Sequence, residues 1–350
     1  MCVTQRRNSK LVLGCLVSLS LLACSSPRAD LERENESPQP GDGAKRADQL
    51  PIVFCSDRDD PGVGDLYLMS TDGAVVERLT DGGNFWMPRW SPDGRRVAFR
   101  QDVAGLVAEV GVLSPDDQGL VLLTEGEPAH NFGSSVNFAA DGEAVAFVGY
   151  GEPEAADTRW LFTVSIAGGQ RKRLFPDHDL LQYEAAWSPD GRQLAHTEAT
   201  TEGVDRDLFV GDAATTGART NLTEGRVYAP NYLAWSPDGS RIAFSGYPLD
   251  ADGNLEGLSQ HGHGASVFDE ELFVIEVASR ALTRLTDNDA EDSSPAWSPD
   301  GQSLLFTSNR DGDPDLWLGD LAAFDEARNL IDDAAAPHEE SFARWYWAVE

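Results

Sequence analysis

The 350 residues carry 59 acidic and 27 basic side chains, a formal net charge of −32. A field of that sign repels phosphate backbones and argues against a nucleic-acid partner. Of four cysteines only Cys55 falls in the region expected to fold, which leaves no partner for an intramolecular disulfide, and the length is ample for a buried core.

At the N-terminus, Arg6, Arg7 and Lys10 precede an apolar run from Leu11 to Leu22. That run is shorter than a comfortable membrane span and has the pattern of a secretion signal. Ser9 stands where a twin-arginine signal needs a bulky apolar residue, so the general secretory route is expected. The ending Leu21-Leu22-Ala23-Cys24 resembles the bacterial lipoprotein cleavage box. The resemblance implies that residues 1–23 are a signal peptide and that Cys24 becomes the lipidated first residue, giving membrane attachment through the lipid anchor only. Residues 24–50 hold almost no large apolar side chain and several prolines, the composition of a flexible tether. Cys2 and Cys15 leave with the signal, and Cys55, after Val53 and Phe54 in a strand pattern, reads as a small buried residue.

From residue 51 onward the chain repeats. Trp-Ser-Pro-Asp-Gly begins at Trp90, Trp187, Trp235 and Trp297, and a worn copy, Phe-Ala-Ala-Asp-Gly, begins at Phe138. Ser, Pro, Asp and Gly in that order suit a type I β-turn. Each turn is followed by two short β-forming runs, such as RRVAF and EVGVL, and by a third ending in Leu-Thr plus an acid, as at Leu79-Thr80-Asp81. The segment leading into the next Trp supplies a fourth strand. The intervals are 48, 49, 48 and 62 residues, the length of a four-stranded propeller blade with one enlarged loop. Trp345 lies 48 residues beyond Trp297, and residues before the first copy match the end of a unit. The expected fold is therefore all-β: a six-bladed β-propeller over residues 51–350, with one blade closed by the C-terminal strand, so that no sheet edge is left free.

The pattern P-x-W-S-P-D-G, I-A-F, R-D-G-x-x-D-L-Y and L-T resembles the repeat of TolB-type β-propellers, relatives of the WD-type propellers, over roughly residues 52–350. The resemblance implies fold and a place in the cell envelope. It does not carry over TolB's own partners, because TolB's additional N-terminal α/β domain has no counterpart among these residues, and one fold hosts many activities.

If each inner strand runs into its Trp, the SPDG turns share one rim and the irregular loops share the other. That second, loop-bearing mouth collects Trp86, His130, His178, Tyr183, Tyr228, Tyr232 and His338 as candidate binding residues, since propellers bind where loops converge on the channel. The enlarged loop on the same face holds Asp250, Asp252, Asn254 and Glu256 at calcium-loop spacing, but Leu255 and His261 occupy the places of the required Gly and bidentate Glu. His261 and His263, with Asp269, Glu270 and Glu271 nearby, are the alternative zinc set, with nothing fixing a geometry. No cofactor is therefore expected. Asp311, Asp313 and Asp315 read as an ordinary turn, and the acid pairs Glu291–Asp292 and Glu339–Glu340 read as surface charge.

No Gly-x-Ser-x-Gly elbow, phosphate-binding glycine loop or His-Glu-x-x-His occurs. The expected function is a monomeric, non-catalytic binding or scaffold module for an envelope protein, peptide or saccharide. The alternative is a metal-assisted polysaccharide lyase or hydrolase with its site at the loop-bearing mouth.

Overall fold

A computed structural model describes residues 45–103, 107–124, 136–150, 159–175, 181–199, 206–213, 218–249, 270–331 and 340–346. These residues form six four-stranded antiparallel sheets. Blade two is typical: Phe85–Trp90, Val97–Val103, Val107–Ser114 and Gly119–Leu122 pair in sequence order. Blades three to six repeat it from inner strands Val136–Phe138, Leu181–Trp187, Val227–Trp235 and Asp292–Trp297. Blade one is split as the spacing requires. Its three outer strands begin at Ile52, and its inner strand, Glu340–Trp345, comes from the other end of the chain. Successive inner strands touch around the ring, and the last touches the first.

Apolar side chains do not form one central core. They form six, each between neighbouring blades: Leu66 and Leu68 of blade one meet Phe85 and Phe99 of blade two, and Leu305 of blade six meets Phe54 of blade one. Alternation along each strand sends one set of side chains to each neighbour, so each blade is buried on both faces.

The recurrent residues hold these blades in place. In the SPDG turn at Ser91, the Gly94 N–H donates to the Ser91 carbonyl at 2.9 Å and the Ser91 hydroxyl donates to Asp93 at 2.6 Å. Gly94 has φ +67°, and a Cβ there would lie 2.6 Å from the Tyr346 ring. The Trp before the turn is an interblade staple. Trp235 Nε1 donates to the Ala186 carbonyl at 2.9 Å and Trp297 Nε1 to the Ala234 carbonyl at 3.0 Å, each reaching the preceding blade. Trp90 Nε1 donates to Pro51, whose carbonyl also accepts from the Tyr346 N–H at 2.7 Å, tying both chain ends together. The Leu-Thr pairs clasp the outer strands: Thr80 accepts from the Leu66 N–H at 2.9 Å and donates to Asp65 at 2.7 Å, and Thr223 does the same with Leu208 and Asp207. Blade three, whose turn is the worn copy, has Trp160 and Phe175 at these two places and lacks the clasp.

Two sequence expectations are corrected. Residues 45–50 are not tether: Arg46–Gln49 is a helical turn whose Ala47 and Leu50, three apart, are buried in the core shared by blades one and two. The acid pairs are not simply surface charge either. Asp292 and Glu340 are both 0% exposed, while Glu291 is exposed. Arg310 pairs with Asp292 at 2.8 Å, and Arg58 pairs with Glu340. Each arginine follows a Ser-x-Arg sequence at the end of a second strand and reaches back to the start of its blade's inner strand. Cys55 is buried as expected, its thiol donating to the Phe85 carbonyl at 3.1 Å.

Candidate functional site

The inner strands line a channel, and four of the six carry an irregularity at a fixed offset from a Trp. Met87, Tyr232, Ser294 and Phe342, each three residues before Trp90, Trp235, Trp297 or Trp345, have φ of +55° to +56°. The ladder register slips at these points. A left-handed backbone at a bulky residue costs about 1–3 kcal/mol, and such bulges serve to re-aim side chains.

At the loop-bearing end this brings Tyr232 of blade five against Phe342 of the closing strand, with ring centroids 5.6 Å apart. The two rings and Glu291, Ser293, Thr307 and Ser341 line a cavity of about 170 Å³. Thr307 is 7% exposed and Ser341 5%, and among the described residues neither hydroxyl has a hydrogen-bond partner. Buried hydroxyls are normally bonded, so two unbonded ones in one aromatic-walled cavity are groups poised for a ligand's donors and acceptors.

A polar cluster adjoins it. Tyr183 lies between the Arg159 and Arg206 guanidiniums at 4.8 and 4.5 Å from its ring centre. Arg206 donates to the Asn231 side-chain Oδ1 at 3.2 Å, and the Asn231 side-chain amide N–H reaches Glu270 at 3.4 Å. Tyr228 packs on Tyr247 at 6.2 Å. Burial, reinforced by Glu270, pushes the Tyr247 phenol up to about 12 and raises Tyr232 as well. Glu270 itself, 5% exposed, is pushed by burial up to about 7.

Because its folded-state value lies above its ordinary 4.5, Glu270 binds its proton more tightly in the folded chain. Its contribution to stability is full below pH 4.5 and is lost as the pH rises towards 7. Glu270→Gln is therefore expected to raise the melting temperature at pH 8 and to flatten its dependence across this window. Thermal melts of both proteins at pH 5 and pH 8 check this; parallel pH profiles would refute it.

Of the residues expected at the mouth, the structure joins Tyr183, Tyr228 and Tyr232 through this cluster. Trp86 belongs to blade two, its ring over Gly64 and its Nε1 without a partner among the described residues. His130, His178 and His338 lie outside the described residues, as do Cys24 and the metal candidates Asp250, Asp252, Asn254, Glu256, His261 and His263. The remaining histidine, His196, is buried between Phe175 and Phe209 and bonded to Glu198 at 2.7 Å. The Asn329 amide bridges Asp311 and Asp315 at 2.8 and 2.7 Å, and carboxylate oxygens of Asp311, Asp313 and Asp315 lie within 4.8 Å of one another. Phe342, Thr307, Ser341, Arg206 and Asn231 were not singled out from the sequence, although the offset of three before each Trp would have pointed to Phe342 and Ser294.

The model of the TolB beta propeller domain matches residues 144–333. The chain is 26% identical over 247 residues to "Uncharacterized peptidase YuxL" of Bacillus subtilis, covering 69% of this chain and 31% of that protein. It is 22% identical over 302 residues to "Dipeptidyl-peptidase 5" of Porphyromonas gingivalis, covering 72% of this chain and 41% of that protein. The chain thus spans well under half the length of either relative. Among solved structures it is similar to TolB from Acinetobacter baumannii, with a TM-score of 0.65 and 17% identity over 84% of this chain and 66% of that one. With the family model covering more than half of the residues and the six blades in place, the chain belongs to the TolB beta propeller domain family.

Proposed function

We propose that the chain is an exported, lipid-anchored binding module of the cell envelope that holds a protein, peptide or saccharide partner at the loop-bearing mouth of its channel. The observation that carries this reading is the cavity between Tyr232 and Phe342 with the unbonded Thr307 and Ser341 hydroxyls. Aromatic walls supply contact area at little entropic cost, and the hydroxyls supply orientation. The bulges that present these residues are the kind of strain that persists where it serves a site.

Capture of partners from solubilised envelope by the purified full-length chain tests this. Tyr232→Ala, and Thr307→Val with Ser341→Ala, are each expected to weaken capture at least about tenfold, the scale of a buried hot spot. Undiminished capture by both would refute the site. In the same fractions Cys24→Ser is expected to leave the membrane pellet or to stall in processing, since stable anchoring needs more than one acyl chain.

A second, enzymatic reading draws on the two relatives named as peptidases. Peptide hydrolysis by the purified chain that Tyr232→Ala abolishes would replace binding with catalysis as the work of this mouth.

A further inference from the structure

The opposite end of the channel, on the SPDG rim, is built differently. All six blades contribute to a cavity of about 160 Å³ there, whose charged lining residues are Arg89 and Arg344. In a chain with 59 acids for 27 bases, neither arginine forms an ion pair among the described residues. Arg344 is 6% exposed; its Nη1 donates to the Ser294 carbonyl at 2.9 Å, and its buried Nε has no partner. The Arg89 side chain is half-buried and makes no hydrogen bond among the described residues, and burial in the channel holds its pKa down to about 10, with the Glu184 carboxylate pulling the other way. A desolvated guanidinium with unused donors is costly unless an anion supplies the missing acceptors.

The rest of the lining says what else that anion must carry. Trp187, Pro92 and Pro189 offer apolar surface. The indole N–H groups of Trp90, Trp235 and Trp297 are already bonded to backbone carbonyls, so these residues add no donors to the cavity. The charged donors left for a ligand are the two guanidiniums, a fork geometry that matches carboxylate, and the Trp187 indole N–H adds a neutral donor beside them.

We propose that the SPDG end of the channel is a second binding site, distinct from the mouth, for an organic carboxylate whose head sits on Arg89 and Arg344 and whose apolar body packs against the Trp187 and proline walls. A free small acid and the C-terminal carboxylate of a peptide share this chemistry.

Calorimetric titration of the purified full-length chain with 3-phenylpropionate, 3-phenylpropionamide, inorganic phosphate, and acetyl-Gly-Gly-Phe as acid and as amide tests the proposal. Both acids are expected to bind, with their amides and phosphate at least about tenfold weaker. Whichever acid binds more tightly identifies the source as free metabolite or chain terminus. Arg89→Gln removes a side chain that makes no hydrogen bond or ion pair among the described residues and is expected to lower acid affinity at least about tenfold while the chain still melts cooperatively. Arg344→Lys, which keeps the charge but not the fork, is a second variant should Arg89→Gln fold poorly, and is expected to lower acid affinity as well. Equal affinity for acid and amide, tighter binding of phosphate than of 3-phenylpropionate, no binding by the wild type, or unchanged affinity in the folded variants would each overturn the proposal.

Discussion

Deleting residues 342–350 is expected to abolish cooperative folding. The deletion removes most of the inner strand Glu340–Trp345, leaving Ile52 and Val53 without their ladder partners Trp345 and Arg344. It also takes Ala343 out of the core between blades six and one, and Tyr346 out of the core between blades one and two. Two of six interblade cores are thus opened at once, and a sheet edge lined by fully buried Ile52, Val53 and Phe54 becomes available to other chains. Calorimetry and gel filtration should show a broad or absent transition and soluble aggregates. A truncated chain that melts in one step at the wild-type temperature would rule out the closure.

Trp297→Ala is expected to destabilise the ring by about 3–5 kcal/mol, the range for a large core aromatic cut to Ala. Trp297 is 0% exposed, its Nε1 holds Ala234 of the preceding blade at 3.0 Å, and the Arg241 guanidinium covers its ring at 4.4 Å. Trp297→Phe keeps most of the packing and loses the staple, with an expected cost of about 1–3 kcal/mol for the carbonyl left unbonded. Trp187→Ala should cost less than Trp297→Ala, because Trp187 is only half-buried and makes no such bond among the described residues. Equilibrium denaturation of the three variants gives the ranking. Equal losses at Trp187 and Trp297 would show that packing volume, not the interblade bond, explains the repeat.

The blade count and the split blade were legible because Trp, Pro, Asp and Gly recur at offsets that only a turn between paired strands explains, and Trp345 keeps the interval. Burial of the acids was not. Adjacent residues on a strand do point apart, and for that reason one member of each pair is carried inward: Asp292 is buried while Glu291 is exposed. What neutralises Glu340 is Arg58, 282 residues away in sequence, a contact that only closure of the ring creates. Tyr183, Tyr228 and Tyr232 are loop-adjacent aromatics in the sequence, which is enough to group them on one end of the channel. Their partner Phe342 was hidden because the left-handed bulges fall on Met87, Tyr232, Ser294 and Phe342, where no glycine marks them. The helical turn Arg46–Gln49 was hidden by its length, four residues inside a polar stretch.

The proposed working face is the loop-bearing mouth. Photo-crosslinking of the full-length chain in envelope fractions tests it most directly, with a benzoylphenylalanine at Tyr228 beside the cavity and another at Val121, 52% exposed on an outer strand. A discrete adduct from position 228 that disappears when Tyr232→Ala is added, and none from position 121, is the expected result. An adduct from position 121 alone, or one from position 228 that survives Tyr232→Ala unchanged, would contradict it.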